Sequence, residues 1–144
     1  MSLSPTLILN SRRDNRPLCL RDYVGWSIWL VGMVVEGVAD YQKLTFQADP
    51  ANANRWINSG LWSMVRHPNY LGEILLWTGL LVSASSVFRP VDHLAVLSPV
   101  LIALQLIHVS GIRILERRAL RRWGEDPGYQ HHLRSTYRLI PYVY

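Results

Sequence analysis

The chain has 144 residues, enough for one domain, and its single cysteine excludes an intrachain disulfide. Hydrophobic residues make up 49% of it and the net charge is +5, but the apolar residues are concentrated in blocks that arginine-rich stretches separate. Arginines that flank apolar blocks favour lipid headgroups or a phosphate-bearing ligand, so we expect no nucleic-acid partner. The six Trp and seven Tyr fit interfacial belts of a membrane protein.

Three apolar blocks predict three transmembrane helices. A polar leader at residues 1–22, without the pattern of a signal peptide, precedes spans at residues 23–39, 71–88 and 93–115. A soluble amphipathic helix would carry a polar stripe at helical spacing, and the second block lacks one. We therefore expect an all-α, polytopic transmembrane bundle whose domain runs over residues 23–144, with the lipid bilayer as its main partner.

The segments between and after these spans indicate the orientation. Residues 40–68 are expected to form a loop with short helical pieces, residues 116–123 a basic helix, and residues 124–144 an aromatic and basic tail. With three spans, the loop and the tail lie on the same side, and most of the basic residues lie there with them. The positive-inside rule places that side in the cytosol, in a bacterial inner membrane or an ER-type membrane.

The first span carries two acids near its cytosolic end. Glu36 and Asp40 are four residues apart and share one face of a helix. An acid inside a span is costly, which favours a functional role, although pairing with a nearby basic residue at the interface is the alternative. Three glycines of this segment are expected to allow close helix approach: Gly25, Gly32 and Gly37.

The start of the second span predicts an anion site. Pro68 suits the first turn of a helix, where its missing N–H costs nothing, and the free N–H groups there attract phosphate or carboxylate. Arg66 adds a guanidinium, and Asn69 and Glu73 lie four apart on one face. A capped helix start with interfacial anchors is the alternative, but this density of polar and aromatic residues favours a ligand site.

The end of the third span carries Arg113, Glu116 and Arg117 on one helix face. Intrahelical ion pairs and a functional role both remain open for Arg113 and Glu116, whereas Arg117 suits lipid headgroups. The tail is able to fold back over a cytosolic ligand. Its adjacent His131 and His132 diverge by about 100° on a helix, and no cysteine or histidine at ligand spacing accompanies them. We therefore expect no metal site.

Three stretches together resemble one known family. They are EGVADYQK at residues 36–43, RHPNYLGE at residues 66–73 and SGIRILE at residues 110–116, followed by a closing Leu-Ile-Pro141. The chain resembles the steroid 5-alpha-reductase C-terminal domain family, and most closely its bacterial branch of uncharacterised membrane proteins. The resemblance covers residues 23–141, with the motifs in the same order.

The resemblance implies a helical bundle that holds NADPH in its cytosolic half. The implied reaction is reduction of a carbon–carbon double bond conjugated to a carbonyl in an apolar, lipid-like molecule. The cofactor contacts that it implies, with their neighbours in the motif, are Asp40, Arg66, His67, Asn69, Tyr70 and Arg113. We expect phosphates near Arg66 and Arg113, ribose or nicotinamide groups near Asp40 and Asn69, and catalysis at Tyr70 and Glu73.

Two other functions remain open. Isoprenylcysteine and phospholipid methyltransferases that use S-adenosylmethionine also carry an Arg-His-Pro-x-Tyr-x-Gly run, although the stretch at residues 36–43 favours the reductases. Members of the family usually carry further helices before the region of residue 23. Three interpretations therefore remain: a complete enzyme, the cofactor-binding half of an enzyme, or a non-catalytic truncated membrane subunit. Three spans are few for a closed pocket, which is compatible with a homo-oligomer.

Overall fold

The computed structural model describes residues 17–87, 101, 104–105 and 111–139. Its helices over these residues are α1 (Leu20–Ala48), α2 (Pro68–Ala84), α3 (Ile112–Trp123) and α4 (Pro127–Ser135), with short 3₁₀ turns at Pro50–Asn52, Gly60–Ser63 and Ser85–Val87. The prediction of an all-α fold is confirmed for this part of the chain. Within these same residues, no helix has both the length and the apolar character that crossing a bilayer requires.

The start of α1 is fixed to the end of α2 through one buried acid. The carboxylate of Asp22 accepts a hydrogen bond from the backbone N–H of Cys19 at 2.8 Å, which caps the helix. It also accepts from the hydroxyl of Ser86 at 2.9 Å and from that of Ser83 at 3.4 Å. Negative charge at a helix N-terminus is stabilising, so the acid both caps α1 and holds the two helices together at this end.

Helices α1 and α2 pack antiparallel through glycines that are seven residues apart on each helix. A Cβ atom on Gly32 would lie 2.5 Å from the backbone nitrogen of Leu76, and one on Gly72 would lie 2.5 Å from that of Glu36. Gly25 and Gly79 meet each other's helix equally closely at the other end of the pair. The two backbones are therefore in direct contact, which only residues without a side chain permit.

The helix boundaries differ from those of the predicted spans, whose crossing of a membrane stays a prediction. Helix α1 does not end at residue 39 but continues to Ala48, because no helix-breaking residue occurs before Pro50. Helix α2 begins at Pro68, close to the predicted start of the second span, and ends at Ala84 instead of residue 88. Most of the predicted third span, residues 93–115, lies outside the described residues.

The C-terminal part is more ordered than the predicted tail. Asp126 caps α4 by accepting hydrogen bonds from the backbone N–H groups of Gly128 and Tyr129. After α4, the backbone N–H of Arg66 donates to the carbonyl of Tyr137 at 2.8 Å, and the N–H of Tyr137 donates to Met64 at 3.2 Å. This short parallel bridge fixes the segment around Tyr137 beside the start of α2.

Candidate functional site

Four charged or titratable side chains meet at the start of α2 and form what we call the Glu116 cluster: Glu116, Arg66, His67 and Arg138. The Glu116 carboxylate lies 2.7 Å from Nη1 of Arg66 and 3.1 Å from Nε of Arg138. Its Oε1 atom lies 3.7 Å from Nε2 of His67. The cluster thus joins α3, the residues before α2 and the C-terminal tail at one point.

The cluster keeps Glu116 ionised. Burial raises the pKa of this carboxyl, but the neighbouring His67 imidazole and the charges of Arg66 and Arg138 lower it by more, so the net pKa lies below the ordinary 4.5. At neutral pH the carboxylate therefore neutralises part of the positive charge at this point. Sequence reasoning left intrahelical ion pairs open for Glu116, whereas its partners in the structure lie outside its own helix.

A cavity of about 330 Å³, the first cavity, lies beside the cluster. Its basic lining residues are Lys43, Arg55, Arg66, Arg118 and Arg122. Its aromatic lining residues are Phe46, Trp56, Trp62, Trp123 and Tyr129, and His67 and His132 also line it. Among the described residues that line it, Glu116 carries the only negative charge. A cavity with this lining suits a ligand that combines negative charge with planar rings.

Three aromatic rings form one wall of the first cavity. The ring centroid of Trp56 lies 5.3 Å from that of Tyr129 and 6.1 Å from that of Trp123, and both pairs are edge-to-face. The indole Nε1 of Trp56 is buried and has no hydrogen-bond acceptor within the described part of the chain. A buried donor without an acceptor costs about 1–3 kcal/mol, so a ligand that accepts this hydrogen bond would recover that cost.

Two titratable groups that line the first cavity, Tyr129 and His132, are uncharged at neutral pH. Burial raises the pKa of Tyr129, and the Glu116 carboxylate raises it further, against the opposing charge of Arg66. Burial also lowers the pKa of His132, and Arg66 adds to that effect. Both side chains can therefore offer hydrogen bonds to a ligand without adding charge.

The structure brings only part of the predicted site together. Arg66, His67 and Asn69 line the first cavity. Asp40 and Arg113 are exposed and lie outside its lining.

The remaining predicted residues, Tyr70 and Glu73, lie in the first two turns of α2. The imidazole of His67 stacks on the ring of Tyr70, with centroids 5.8 Å apart and planes 14° from parallel. Tyr70 in turn lies within electrostatic reach of Glu73 and Asp40. His67, a member of the Glu116 cluster, therefore also contacts Tyr70. Across the described residues, no set of three His, Cys, Asp or Glu side chains is arranged to hold a metal ion.

Sequence reasoning missed most of the aromatic wall. Trp56, Trp123 and Tyr129 come from three separate segments, and only Tyr129 belongs to a stretch that the sequence singled out, the aromatic and basic tail. The available signal was the number of tryptophans outside the predicted spans, which was attributed to membrane interfaces. The expectation that the tail can fold back over this face agrees with the bridge at Tyr137 and the ion pair at Arg138.

Comparisons with known proteins give one family and several relatives. The profile of a family described as "Protein of unknown function (DUF1295)" matches residues 1–136. A Delta(14)-sterol reductase of Mus musculus is 31% identical over 129 residues, which cover 80% of this chain and 29% of that protein. A "Probable 7-dehydrocholesterol reductase" of Acanthamoeba polyphaga mimivirus is 30% identical over 132 residues, or 80% of this chain and 28% of that protein.

A third relative carries a different name. A "Probable O-methyltransferase" of Ustilaginoidea virens is 35% identical over 60 residues, which cover 42% of this chain and 21% of that protein. No solved structure matches the chain. The chain thus spans less than a third of the length of the curated relatives that it matches.

Proposed function

The chain belongs to the DUF1295 family, the steroid 5-alpha-reductase C-terminal-like family, and from that premise we propose that it binds NADPH and reduces a conjugated carbon–carbon double bond. The proposed substrate is an apolar, lipid-like enone. The observation that carries the proposal is the first cavity, where basic and aromatic side chains surround about 330 Å³ next to the RHPNYLGE motif. The two relatives named as sterol reductases support the same class of reaction.

The lining of the first cavity fits the chemical groups of NADPH. Its phosphates can be bound by Arg66, by Arg118 and by the free backbone N–H groups at the start of α2, where the helix dipole favours negative charge. The amide of Asn69 can hydrogen-bond a ribose hydroxyl or the nicotinamide carboxamide. The rings of the cofactor suit the aromatic wall, where the Trp56 indole offers its buried N–H.

The residues around His67 supply the proposed catalytic part. NADPH supplies a hydride when it is bound. Tyr70, stacked on His67, holds a proton on its phenol oxygen at neutral pH and is proposed to give it to the alpha carbon of the enone. Burial raises the pKa of this phenol, and the neighbouring carboxylates of Glu73 and Asp40 raise it further, since they disfavour a phenolate beside them.

We place α1 and α2 in a membrane as part of the same proposal. The face of α1 that does not contact α2 leaves large apolar side chains exposed, among them Trp26, Leu30, Val31, Val34 and Val38. Lipid would cover this face and would also bring an apolar substrate to the protein, with the cavity on the cytosolic side. A homo-oligomer would cover the same face by contact between copies.

A methyltransferase is the second candidate, because one relative is named as such. S-adenosylmethionine carries a sulfonium cation, and a cavity with five basic side chains and one carboxylate disfavours it. A non-catalytic membrane subunit is the third candidate and predicts that none of these cofactors binds.

A thermal-shift titration of the detergent-solubilised chain tests the three candidates. A ligand that binds only the native state raises the melting temperature as its concentration passes its dissociation constant. We expect stabilisation by NADPH and none by S-adenosylmethionine, followed by oxidation of NADPH when an enone is added. Stabilisation by S-adenosylmethionine alone would contradict the reductase function, and so would the absence of any shift.

Two arginines of α3 provide a matched pair of variants for the cofactor site. Both side chains are exposed, but Arg118 lines the first cavity and Arg113 lies outside it. We expect Arg118→Ala to weaken NADPH binding by roughly tenfold or more, since a hydrogen bond to a charged group contributes about 1.5–3 kcal/mol. Arg113→Ala is expected to leave the affinity unchanged. Isothermal titration calorimetry measures both, and equal losses in the two variants would show that the arginines act only through overall charge.

A further inference from the structure

A second cavity of about 230 Å³ adjoins the first cavity. Phe46, Arg55 and Trp56 line both. The other lining residues of the second cavity are small and polar: Asn52, Asn58 and Ser59. A ligand that extends past Trp56 therefore leaves the aromatic wall and meets amides, a hydroxyl and a guanidinium.

The segment that carries these residues is held in place before any ligand arrives. The side-chain amide of Asn52 donates to the carbonyl of Phe46 at 3.0 Å, which ties the segment to the end of α1. The indole N–H of Trp123 donates to the carbonyl of Asn54 at 2.6 Å, which ties it to α3. Arg55 follows Asn54 directly in the chain, so its backbone is already held in place. Ligand binding there therefore costs little conformational entropy.

Arg55 also differs from Arg66 and Arg122 in its partners. Arg66 pairs with Glu116, and Arg122 donates to the side chain of Asn54. Within the described residues, the guanidinium of Arg55 has no hydrogen bond and no ion pair. A guanidinium without such partners, beside amide and hydroxyl donors, can bind a phosphate monoester. That group is doubly charged and presents three acceptor oxygens.

We propose that the second cavity is a subsite for a phosphate monoester. Arg55 binds the phosphate, Asn58 and Ser59 donate hydrogen bonds to its oxygens, and the ring system next to it packs against Trp56. The inference rests on the proposed function, in which this group is the 2′-phosphate of NADPH. Arg55 is then the residue that distinguishes NADPH from NADH.

Nucleotide fragments that differ only in the 2′-phosphate test the subsite directly. The full chain in detergent is titrated by calorimetry with 2′,5′-ADP and with 5′-AMP. We expect the wild type to prefer 2′,5′-ADP by roughly tenfold, the size of one good charge-assisted contact. Arg55→Ala is expected to remove this preference without changing the affinity for 5′-AMP. Arg118→Ala, in the first cavity only, is expected to weaken both ligands by the same factor and keep the preference.

Two results would overturn the subsite: equal affinities of the wild type for the two fragments, or a loss in Arg55→Ala that is the same for both. The melting temperature of ligand-free Arg55→Ala should equal that of the wild type, because the side chain is exposed and makes no contact that the fold needs. Parallel titrations with NADPH and NADH separate the two proposals. If neither dinucleotide binds the wild type, the reductase function is refuted, while the fragment comparison still decides the subsite.

Discussion

Replacing Gly32 by alanine is expected to destabilise the α1–α2 pair by about 2–3 kcal/mol, in the upper part of the usual range of about 1–3 kcal/mol for overpacking, because the contact is between backbones. The new Cβ atom would lie 2.5 Å from the backbone nitrogen of Leu76 and 2.7 Å from the carbonyl oxygen of Gly72. Both are backbone atoms of α2, so the clash is relieved only if the two helices separate. Thermal unfolding in detergent, followed by circular dichroism, measures the loss.

Gly37 on the same helix is the matched control, since a Cβ atom built there meets no atom within 4 Å among the described residues. Alanine has a higher helix propensity than glycine by about 0.8–1.0 kcal/mol, so Gly37→Ala should leave stability unchanged or raise it. The two variants are thus expected to differ in sign. A similar loss in both would contradict the direct contact of α1 and α2 at Gly32.

The variant Glu116→Gln is expected to lower stability at neutral pH by about 2 kcal/mol, less than the 3–5 kcal/mol for one partner of a fully buried ion pair, because solvent reaches this cluster in part. The two arginines of the cluster would lose the carboxylate that lies 2.7 Å and 3.1 Å from them. Since Arg138 belongs to the tail, the variant should also loosen the tail from the start of α2. Limited proteolysis after residue 123, compared with the wild type, measures that second effect.

The same variant should change how stability depends on pH. The pKa of Glu116 is lowered on folding, so its contribution is fully present above the unfolded value of 4.5 and is lost as the pH falls through the folded pKa. The melting temperature of the wild type should therefore fall below pH 4.5 more steeply than that of Glu116→Gln. Glu125→Gln, an exposed acid at the end of α3, should follow the wild type. Parallel curves for the wild type and Glu116→Gln would show that the cluster does not hold the carboxylate in its ionised form.

The sequence by itself determined the features that depend on local chemistry. Proline at residue 68 has a fixed φ and no N–H, so α2 begins there whatever surrounds it. The apolar blocks predicted helices, and the order of the three motifs identified the family. The basic and polar residues of the RHPNYLGE motif marked one side of the first cavity, because Arg66, His67 and Asn69 all line it.

Only the tertiary structure decided which residues from distant segments meet. Glu116 and Arg66 are 50 residues apart, and no periodic pattern links a helix face to a residue before another helix. The aromatic wall likewise joins a loop, α3 and α4. The glycines of α1 also could not be distinguished from the sequence. Gly32 and Gly37 are five residues apart and point about 140° away from each other around α1, so a single neighbouring helix cannot contact both. The sequence identifies each glycine as a possible site of helix contact. In the structure, α2 lies against Gly32, whereas no atom of the described residues lies within 4 Å of a Cβ built on Gly37.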